Sequence, residues 1–280
     1  RQVVPGCLYF ALKGDRFNGN AFALSAIEQG AACAVVDEDI SSQDPRVIRV
    51  DHVLSTLQAL AYRYRRDWTF PVLAITGSNG KTTTKELIRD VLRCKYEVSA
   101  TKGNLNNHIG IPLTMLSVPA TCNFAVIEMG ANHQQEIAGY CQYAQPTHGL
   151  ITNIGKAHLE GFGGEEGVFK GKKELYDFLH AHGAILFANT ELEKLKRATQ
   201  GMNPIEYGFN GKAFQLRNIS ESPTLIFEYT SPTMQREIVT QLAGGYNLYN
   251  IASAIQIGLT FGVMEKEILE AIQSYVPDNN

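Results

Sequence analysis

The chain has 280 residues, of which 44% are hydrophobic, and these values are typical of two globular domains with sizeable buried cores. The formal net charge is −3, with 25 basic and 28 acidic residues interspersed, which disfavours nucleic acid as a partner and favours small molecules. The five cysteines are widely spaced and form no C-x-x-C pair, so we expect free thiols in the cytoplasm.

The N-terminal sequence, RQVVPGCLYFAL, lacks the basic and then apolar layout of a signal peptide. It also begins without methionine, so we expect an upstream segment to be missing. Residues 1–70 alternate short apolar runs with two helical segments and predict a small α/β domain. This pattern ends at Trp68-Thr-Phe-Pro71, and we therefore predict a second domain over residues 71–280.

The second domain alternates strands and helices. Four β-rich runs, VLAIT, FAVIEM, GLITNI and AILFAN, are separated by helical stretches, which predicts a doubly wound, mostly parallel sheet. Alternating segments within residues 205–240 indicate a small antiparallel excursion. The uncharged stretch from Ile238 to Met264 is long enough to span a membrane. Its amide and hydroxyl side chains favour instead a helix buried inside a soluble protein.

The segment ITGSNGKTTTKELI has the features of a phosphate-binding loop between a strand and a helix. Gly77 and Gly80 allow backbone N–H groups to point at phosphate oxygens, and the helix N-terminus adds partial positive charge. Lys81 can reach the outer phosphates of a nucleotide, and Thr82 can bind Mg²⁺. The loop is shorter than the common G-x-x-x-x-G-K-[ST] pattern, because Ile75 stands where that pattern has its first glycine.

Two further strands lead to candidate metal ligands. Glu128 ends the run FAVIE, and the run GLITNI is followed by a loop that contains His158. Ligands of doubly wound sheets bind beyond the carboxyl ends of the strands. We therefore expect Thr82, Glu128 and His158 to lie around one Mg²⁺–nucleotide complex.

Three lysines lie on the helical run after His158, namely Lys170, Lys172 and Lys173. Helical periodicity cannot turn all three toward the same site, so most of them must face solvent. Spacing alone does not select which lysine, if any, faces the nucleotide.

These motifs together resemble those of the Mur ligases, over essentially the whole chain. TGSNGKTTTK is similar to the family's ATP loop, and KGNLNNHIGIPLT (102–114) to its muramoyl-substrate segment. EMGANHQQEI (128–137) resembles its strand-end glutamate motif and NIGKAHLEGFG (153–163) its histidine motif. FALKGDRFNGNAF (10–22) resembles its uridine-diphosphate domain, although Asn18 stands where an aspartate is more usual.

The resemblance implies roles for particular residues. ATP would be bound by Gly77, Ser78, Asn79, Gly80, Lys81, Thr82, Thr83 and Asn247, the last of which lies in AGGYNLYNIASAI, similar to the segment that meets adenine in the family. The muramoyl substrate would be bound by Thr101, Asn104, Asn106 and Asn107.

The family also carries a carbamylated lysine ahead of an E-L pair, a position that Lys172 fits best and Lys173 next. Addition of CO₂ to a neutral amine turns the cation into an anion that can bind Mg²⁺. The resemblance thus implies Lys81, His158 and Lys172 as catalytic residues, and Thr82, Glu128, His158 and the Lys172 carbamate as metal ligands.

The implied reaction is ATP-dependent formation of an amide bond. The γ-phosphate of ATP would activate the carboxylate of UDP-N-acetylmuramoyl-tripeptide as an acyl phosphate, which the amine of D-alanyl-D-alanine would attack with Mg²⁺ as cofactor. We expect a monomer without a membrane span. The family's C-terminal ligase domain is not in the chain, so we expect the fragment to be inactive alone.

Three alternatives remain open. A folylpolyglutamate-type ligase is disfavoured by the separate N-terminal domain and by KGNLNNHIG. A P-loop kinase or GTPase is the second alternative, and a GTPase would need a guanine-reading N-K-x-D motif, which the chain lacks. A non-catalytic nucleotide-binding module would bind ATP without substrate-dependent release of phosphate.

Overall fold

The computed structural model describes residues 3–277 and divides the chain into two units. The first ends at Asp67 and the second begins at Trp68, so the predicted boundary after residue 70 lies just beyond the division.

The first unit is a small α/β domain. Its strands are β1 (Leu8–Phe10), β2 (Lys13–Gly14), β3 (Phe17–Asn18), β4 (Cys33–Val36) and β5 (Val47–Arg49), and its helices are α1 (Ala23–Glu28) and α2 (Val53–Arg65). Strands β1, β4 and β5 form a parallel sheet in that order, and β2 pairs with β3 in a separate antiparallel ribbon. Alanine and valine side chains of β4 pack with those of α1 in a core of their own.

The second unit is built on a parallel sheet, as predicted, with six strands that include the four predicted runs. Its strands are β6 (Val72–Thr76), β7 (Val98–Ala100), β8 (Phe124–Glu128), β9 (His148–Ile151), β10 (Ile185–Asn189) and β11 (Ile205–Tyr207). They lie in the order β11–β10–β9–β6–β8–β7, and every neighbouring pair is parallel. From β6 the chain runs to β7 at one edge, returns to β8 between them, and then crosses to β9, β10 and β11 on the other side, so the connections that leave β6 and β9 run in opposite directions. Ligands of such sheets bind at this point, beyond the carboxyl ends of the strands.

Helices cover both faces of this sheet. They are α3 (Lys81–Arg93), α4 (Gly110–Leu116), α5 (Glu136–Ala144), α6 (Leu159–Phe162), α7 (Glu165–Ala181), α8 (Glu193–Ala198), α9 (Asn247–Thr260) and α10 (Glu265–Ser274). Helices α3, α9 and α10 pack against one another, and α7 packs against α5 and against β9 and β10. Strands β6 and β8 are buried at every residue, which explains why each is apolar up to its last residue, Thr76 in β6 and Glu128 in β8.

The predicted antiparallel excursion is present and has three strands, β12 (Gln215–Ser220), β13 (Ile226–Thr230) and β14 (Gln235–Val239). The uncharged stretch is therefore not one helix, because its first residues complete β14 and α9 begins only at Asn247. None of the described helices combines the length and hydrophobicity that a membrane span requires.

Candidate nucleotide-binding site

The predicted phosphate loop follows the end of β6 and leads directly into α3. Gly77 has φ +148° and Gly80 has φ +75°, both in the region that favours glycine. A Cβ atom on Gly77 would lie 2.0 Å from the Thr152 hydroxyl, so a side chain does not fit there. The loop thus reaches the N-terminus of α3, where helical bonding leaves backbone N–H groups open for an anion.

The loop is held against the segment that follows β9. The Ser78 N–H donates to the Asn153 carbonyl at 3.1 Å, and the Asn79 N–H donates to the Asn153 side chain at 3.1 Å. The Thr152 hydroxyl donates in return to the Asn79 carbonyl at 2.7 Å. Because this segment leads to His158, these bonds bring the histidine motif beside the phosphate loop.

Lys81 begins α3 and folds back over the loop. Its ammonium donates to the carbonyls of Gly77 at 2.9 Å and Ser78 at 3.2 Å. Burial lowers the pKa of this ammonium, and the charge of Glu128 partly opposes that effect. Thr82 and Thr83 lie half-buried in the same first helical turn. A lysine bonded only to carbonyls is well placed to move to a stronger anionic partner.

Glu128 ends β8 as predicted and is only 1% exposed. Its backbone N–H donates to the Thr101 hydroxyl at 3.0 Å, and its Oε1 accepts from the Asn106 amide at 2.7 Å. Its Oε2 lies 3.7 Å from the Lys85 ammonium and is one of the buried side-chain atoms of the described chain without a hydrogen-bond partner. A buried carboxylate oxygen without a donor has capacity to bind a cation.

His158 and Lys81 line one cleft of about 270 Å³. Asn106 and Asn107 border it from the predicted substrate segment, and Asn106 connects it to Glu128. His158 is exposed and has φ +52°, just before α6. The structure therefore brings the loop lysine, the histidine and the substrate-segment asparagines to one cleft.

Lys172 is the buried member of the three lysines, at 1% exposure, whereas Lys170 is exposed and Lys173 is paired with Asp177. Its ammonium donates to the Ala131 carbonyl at 3.3 Å, and Ala131 borders the same cleft. Burial, followed by the charge of Lys81, lowers the pKa of Lys172 to about 8. The neutral form of this amine is therefore more accessible near physiological pH than that of an exposed lysine.

Asn247 does not face the cavity beside the phosphate loop. Its side-chain amide donates to the Ala243 carbonyl at 2.8 Å and its oxygen accepts from Asn250 at 2.9 Å. A cavity of about 460 Å³ lies instead along Gly80, Tyr246, Tyr249 and Asn250, among other residues. Sequence reasoning missed Asn250, although its spacing of three residues from Asn247 places both on one face of a helix.

The other predicted substrate residues differ in their surroundings. Thr101 is buried and bonded to the backbone of Glu128, and the Asn107 oxygen accepts from the Gly110 N–H at 2.8 Å, where α4 begins. Asn104 is exposed. In the first unit, Asn18 donates to Glu38 and accepts from the Asn20 N–H at 3.0 Å. Thr101 and Asn107 thus have structural roles in addition to any role in binding.

The residues present fit Mg²⁺ only together with a nucleotide. Among residues 3–277, no three His, Cys, Asp or Glu side chains are grouped to hold a metal ion. Mg²⁺ commonly uses one or two protein ligands and takes its remaining oxygens from phosphates and water. Glu128, with its unpartnered oxygen, and Thr82, on the first turn of α3, supply this number.

The fold and the site define a P-loop nucleotide-binding protein of the doubly wound α/β class. The model of the Mur ligase middle domain matches residues 75–258, and the model of the Mur ligase family, catalytic domain, matches residues 1–65. The chain belongs to the Mur ligase family.

Known relatives agree with this assignment. The chain is 34% identical over 275 residues to the UDP-N-acetylmuramoyl-tripeptide--D-alanyl-D-alanine ligase of Bacillus subtilis, covering 97% of this chain and 60% of the relative. A crystal structure of MurF from Acinetobacter baumannii has a TM-score of 0.89 and 28% identity, covering 99% of this chain and 62% of that one. The MurF ligase of Thermotoga maritima in complex with ADP has a TM-score of 0.85 and 28% identity, with 99% and 64% covered. The chain thus spans about 60% of the length of these relatives.

Proposed function

We propose that the chain is the nucleotide-binding part of an ATP-dependent, ADP-forming ligase that adds D-alanyl-D-alanine to UDP-N-acetylmuramoyl-tripeptide in peptidoglycan synthesis. The observation that carries the proposal is the cleft that Lys81 and His158 share with Asn106, whose amide is bonded to Glu128. Phosphate loop and substrate segment thus meet at one edge of the sheet, where a carboxylate can approach a γ-phosphate. The names of the relatives supply the identity of the two substrates.

Lys81 provides the positive charge for phosphoryl transfer. On nucleotide binding its ammonium exchanges the Gly77 and Ser78 carbonyls for phosphate oxygens, which are stronger partners. Transfer brings an anionic carboxylate to an anionic triphosphate, so a cation between them lowers the repulsion. The N–H groups at the start of α3 hold the phosphates in position.

Glu128 and Thr82 are the proposed protein ligands of Mg²⁺, with His158 at the rim of the same cleft. Mg²⁺, when bound, neutralises charge that develops on the phosphate oxygens. The backbone of Glu128 is fixed by Thr101, and its carboxylate accepts a hydrogen bond from Asn106.

Lys172 is the proposed site of carbamylation. Its amine attacks the carbon of CO₂ and loses a proton, which leaves an anionic carbamate in place of a cation. The reaction needs a neutral amine, and the lowered pKa of Lys172 supports this requirement. Lys173 is a poorer candidate because its ammonium is paired with Asp177.

The proposed adenine site is the cavity along Tyr246, Tyr249 and Asn250. It borders Gly80 of the phosphate loop, and its aromatic rings offer faces on which a base can stack. Asn247 then supports this site through its hydrogen bond with Asn250 rather than by contact with adenine.

The first unit is proposed to bind the UDP part of the substrate, and the enzyme to be a cytoplasmic monomer. The five cysteines are free thiols, which supports a reducing compartment.

The test is release of phosphate by the full-length protein with ATP, Mg²⁺ and UDP-N-acetylmuramoyl-tripeptide, with and without D-alanyl-D-alanine. Release that depends on both substrates and is lost in Lys81→Ala is the expected result. A nucleotide-binding module would bind ATP but show no substrate-dependent release, and that outcome would reject the ligase proposal.

A further inference from the structure

Lys85 is a buried lysine outside the set of nucleotide-binding residues. It lies on α3 four residues after Lys81, which is one turn further along the same helical face. Its side chain is 2% exposed. An ammonium at that depth has lost its hydration and needs opposite charge nearby.

Two buried carboxylates flank the Lys85 ammonium. Its Nζ lies 3.7 Å from Glu128 Oε2 and 3.8 Å from Glu86 Oε1. Both distances are longer than a hydrogen bond, so the interaction is one between charges. Glu86 also accepts a hydrogen bond from the Tyr275 hydroxyl at 2.6 Å, whereas Glu128 Oε2 has no donor among the described residues. Removal of the Lys85 ammonium would therefore leave Glu128 Oε2 without a nearby donor, whereas Glu86 would keep its hydrogen bond from Tyr275.

Lys85 acts on the nucleotide site through Glu128. The other polar contacts of Glu128 are with neutral groups: its backbone N–H donates to Thr101 and its Oε1 accepts from Asn106. Asn106 borders the cleft that contains Lys81, but Lys85 lines a different cavity of about 480 Å³, with Thr101. A ligand in the cleft would meet Asn106, and Lys85 would affect it only by positioning the carboxylate.

We propose that Lys85 is a positioning residue, the internal counter-ion that holds the Glu128 carboxylate in place when no divalent cation is bound. The proposal rests on the assignment of Glu128 to the Mg²⁺ site. Lys85 and Mg²⁺ balance the same negative charge from two sides. Without Lys85, only the more distant Lys81 ammonium and the metal remain to balance that charge, so the stability of the protein depends more strongly on Mg²⁺.

The test combines Lys85→Met with Glu128→Gln in a double-mutant cycle, read as melting temperature without nucleotide and with EDTA. Lys85→Met keeps the length of the side chain and removes its charge. Loss of one partner of a buried ion pair should lower the melting temperature by roughly 6 to 20 °C. In the Glu128→Gln background the same substitution should cost less than half as much, because only Glu86, which Tyr275 also holds, then loses a counter-ion. Equal losses in the two backgrounds would overturn the proposal. If Lys85→Met alone does not fold, a folded Lys85→Met/Glu128→Gln double variant supports the proposal and an unfolded one overturns it.

The metal dependence is measured in the presence of ADP, with Mg²⁺ or with EDTA. Mg²⁺ should raise the melting temperature of Lys85→Met by several degrees more than that of the wild-type protein. Lys95→Met, at an exposed lysine just after α3, is the control and should respond to Mg²⁺ like the unchanged chain. An equal Mg²⁺ response in Lys85→Met would refute the role. If the unchanged chain binds no ADP, the proposed function fails, while the double-mutant cycle still decides whether Lys85 is the counter-ion of Glu128.

Discussion

Lys172, the proposed site of carbamylation, is predicted to lower the stability of the folded protein. Burial lowers its pKa from the ordinary 10.5 to about 8, which corresponds to about 3 kcal/mol at neutral pH. Two contacts of the ammonium offset part of this cost: a hydrogen bond to the Ala131 carbonyl and the face of the Phe162 ring at 5.1 Å. Losing both contacts would lower the free energy of unfolding by about 1 kcal/mol. We therefore expect Lys172→Met to raise the free energy of unfolding at pH 7 by about 1–3 kcal/mol while it abolishes ligase activity.

The gain should depend on pH in a defined direction. Because the folded-state pKa lies below that of the unfolded chain, the cost of Lys172 is fully present below about pH 8. Between about pH 8 and 10.5 the unfolded chain binds this proton and the folded chain does not, so the unchanged chain gains stability as pH rises. The advantage of Lys172→Met should shrink over that window.

Urea unfolding at pH 7 and at pH 9.5, in buffers purged of CO₂, measures this difference. Lys170→Met, at an exposed lysine on the same helix, serves as the control and should change stability by less than about 0.5 kcal/mol. A Lys172→Met variant that is less stable by the same amount at both pH values would refute the reasoning, since the lysine would then be charged and well satisfied.

Three further predictions concern the loop, the adenine cavity and the sheet. Gly77→Ala should lower stability by about 2–5 kcal/mol in urea unfolding, because its Cβ would meet the Thr152 hydroxyl at 2.0 Å. Gly139→Ala, in open space on α5, should instead raise the free energy of unfolding by up to about 1 kcal/mol. Equal changes of stability in the two variants would argue against the loop geometry. Tyr246→Ala should weaken ATP binding about tenfold in calorimetry and leave the binding of inorganic triphosphate unchanged. Unchanged ATP binding would mean that adenine binds elsewhere. Burial lowers the pKa of His148 to about 4, so stability should fall as pH drops from about 6.5 to 4, and His148→Phe should not show that loss.

The central sheet was predictable because its strands are buried on both faces and therefore read as continuous apolar runs. Strands β7 and β11 were missed because each has three residues at an edge of the sheet. They pair there only because neighbouring strands are already in place. Their own sequences carry too little periodicity to indicate a strand.

The site was predictable where a motif carries its own geometry, as in the loop from Gly77 to Lys81. Lys85 was not, because in sequence it resembles an exposed lysine on an amphipathic helix. Its burial follows from the packing of α3 beside β8, which brings in Glu128 from a distant part of the chain. The internal bonds of Asn247 likewise depend on the carbonyl of Ala243, which precedes the helix, and on Asn250.

The most direct test of the nucleotide site is a crystal structure of this chain with a non-hydrolysable ATP analogue and Mn²⁺, located by its anomalous scattering. We expect one Mn²⁺ on the phosphates, about 2.1 Å from the Thr82 hydroxyl oxygen and bound to Glu128 directly or through one water. His158 should border the γ-phosphate, and Lys81 should contact the phosphates. Phosphates away from the loop that Gly77 begins, or a metal ion that neither Thr82 nor Glu128 approaches, would contradict this expectation.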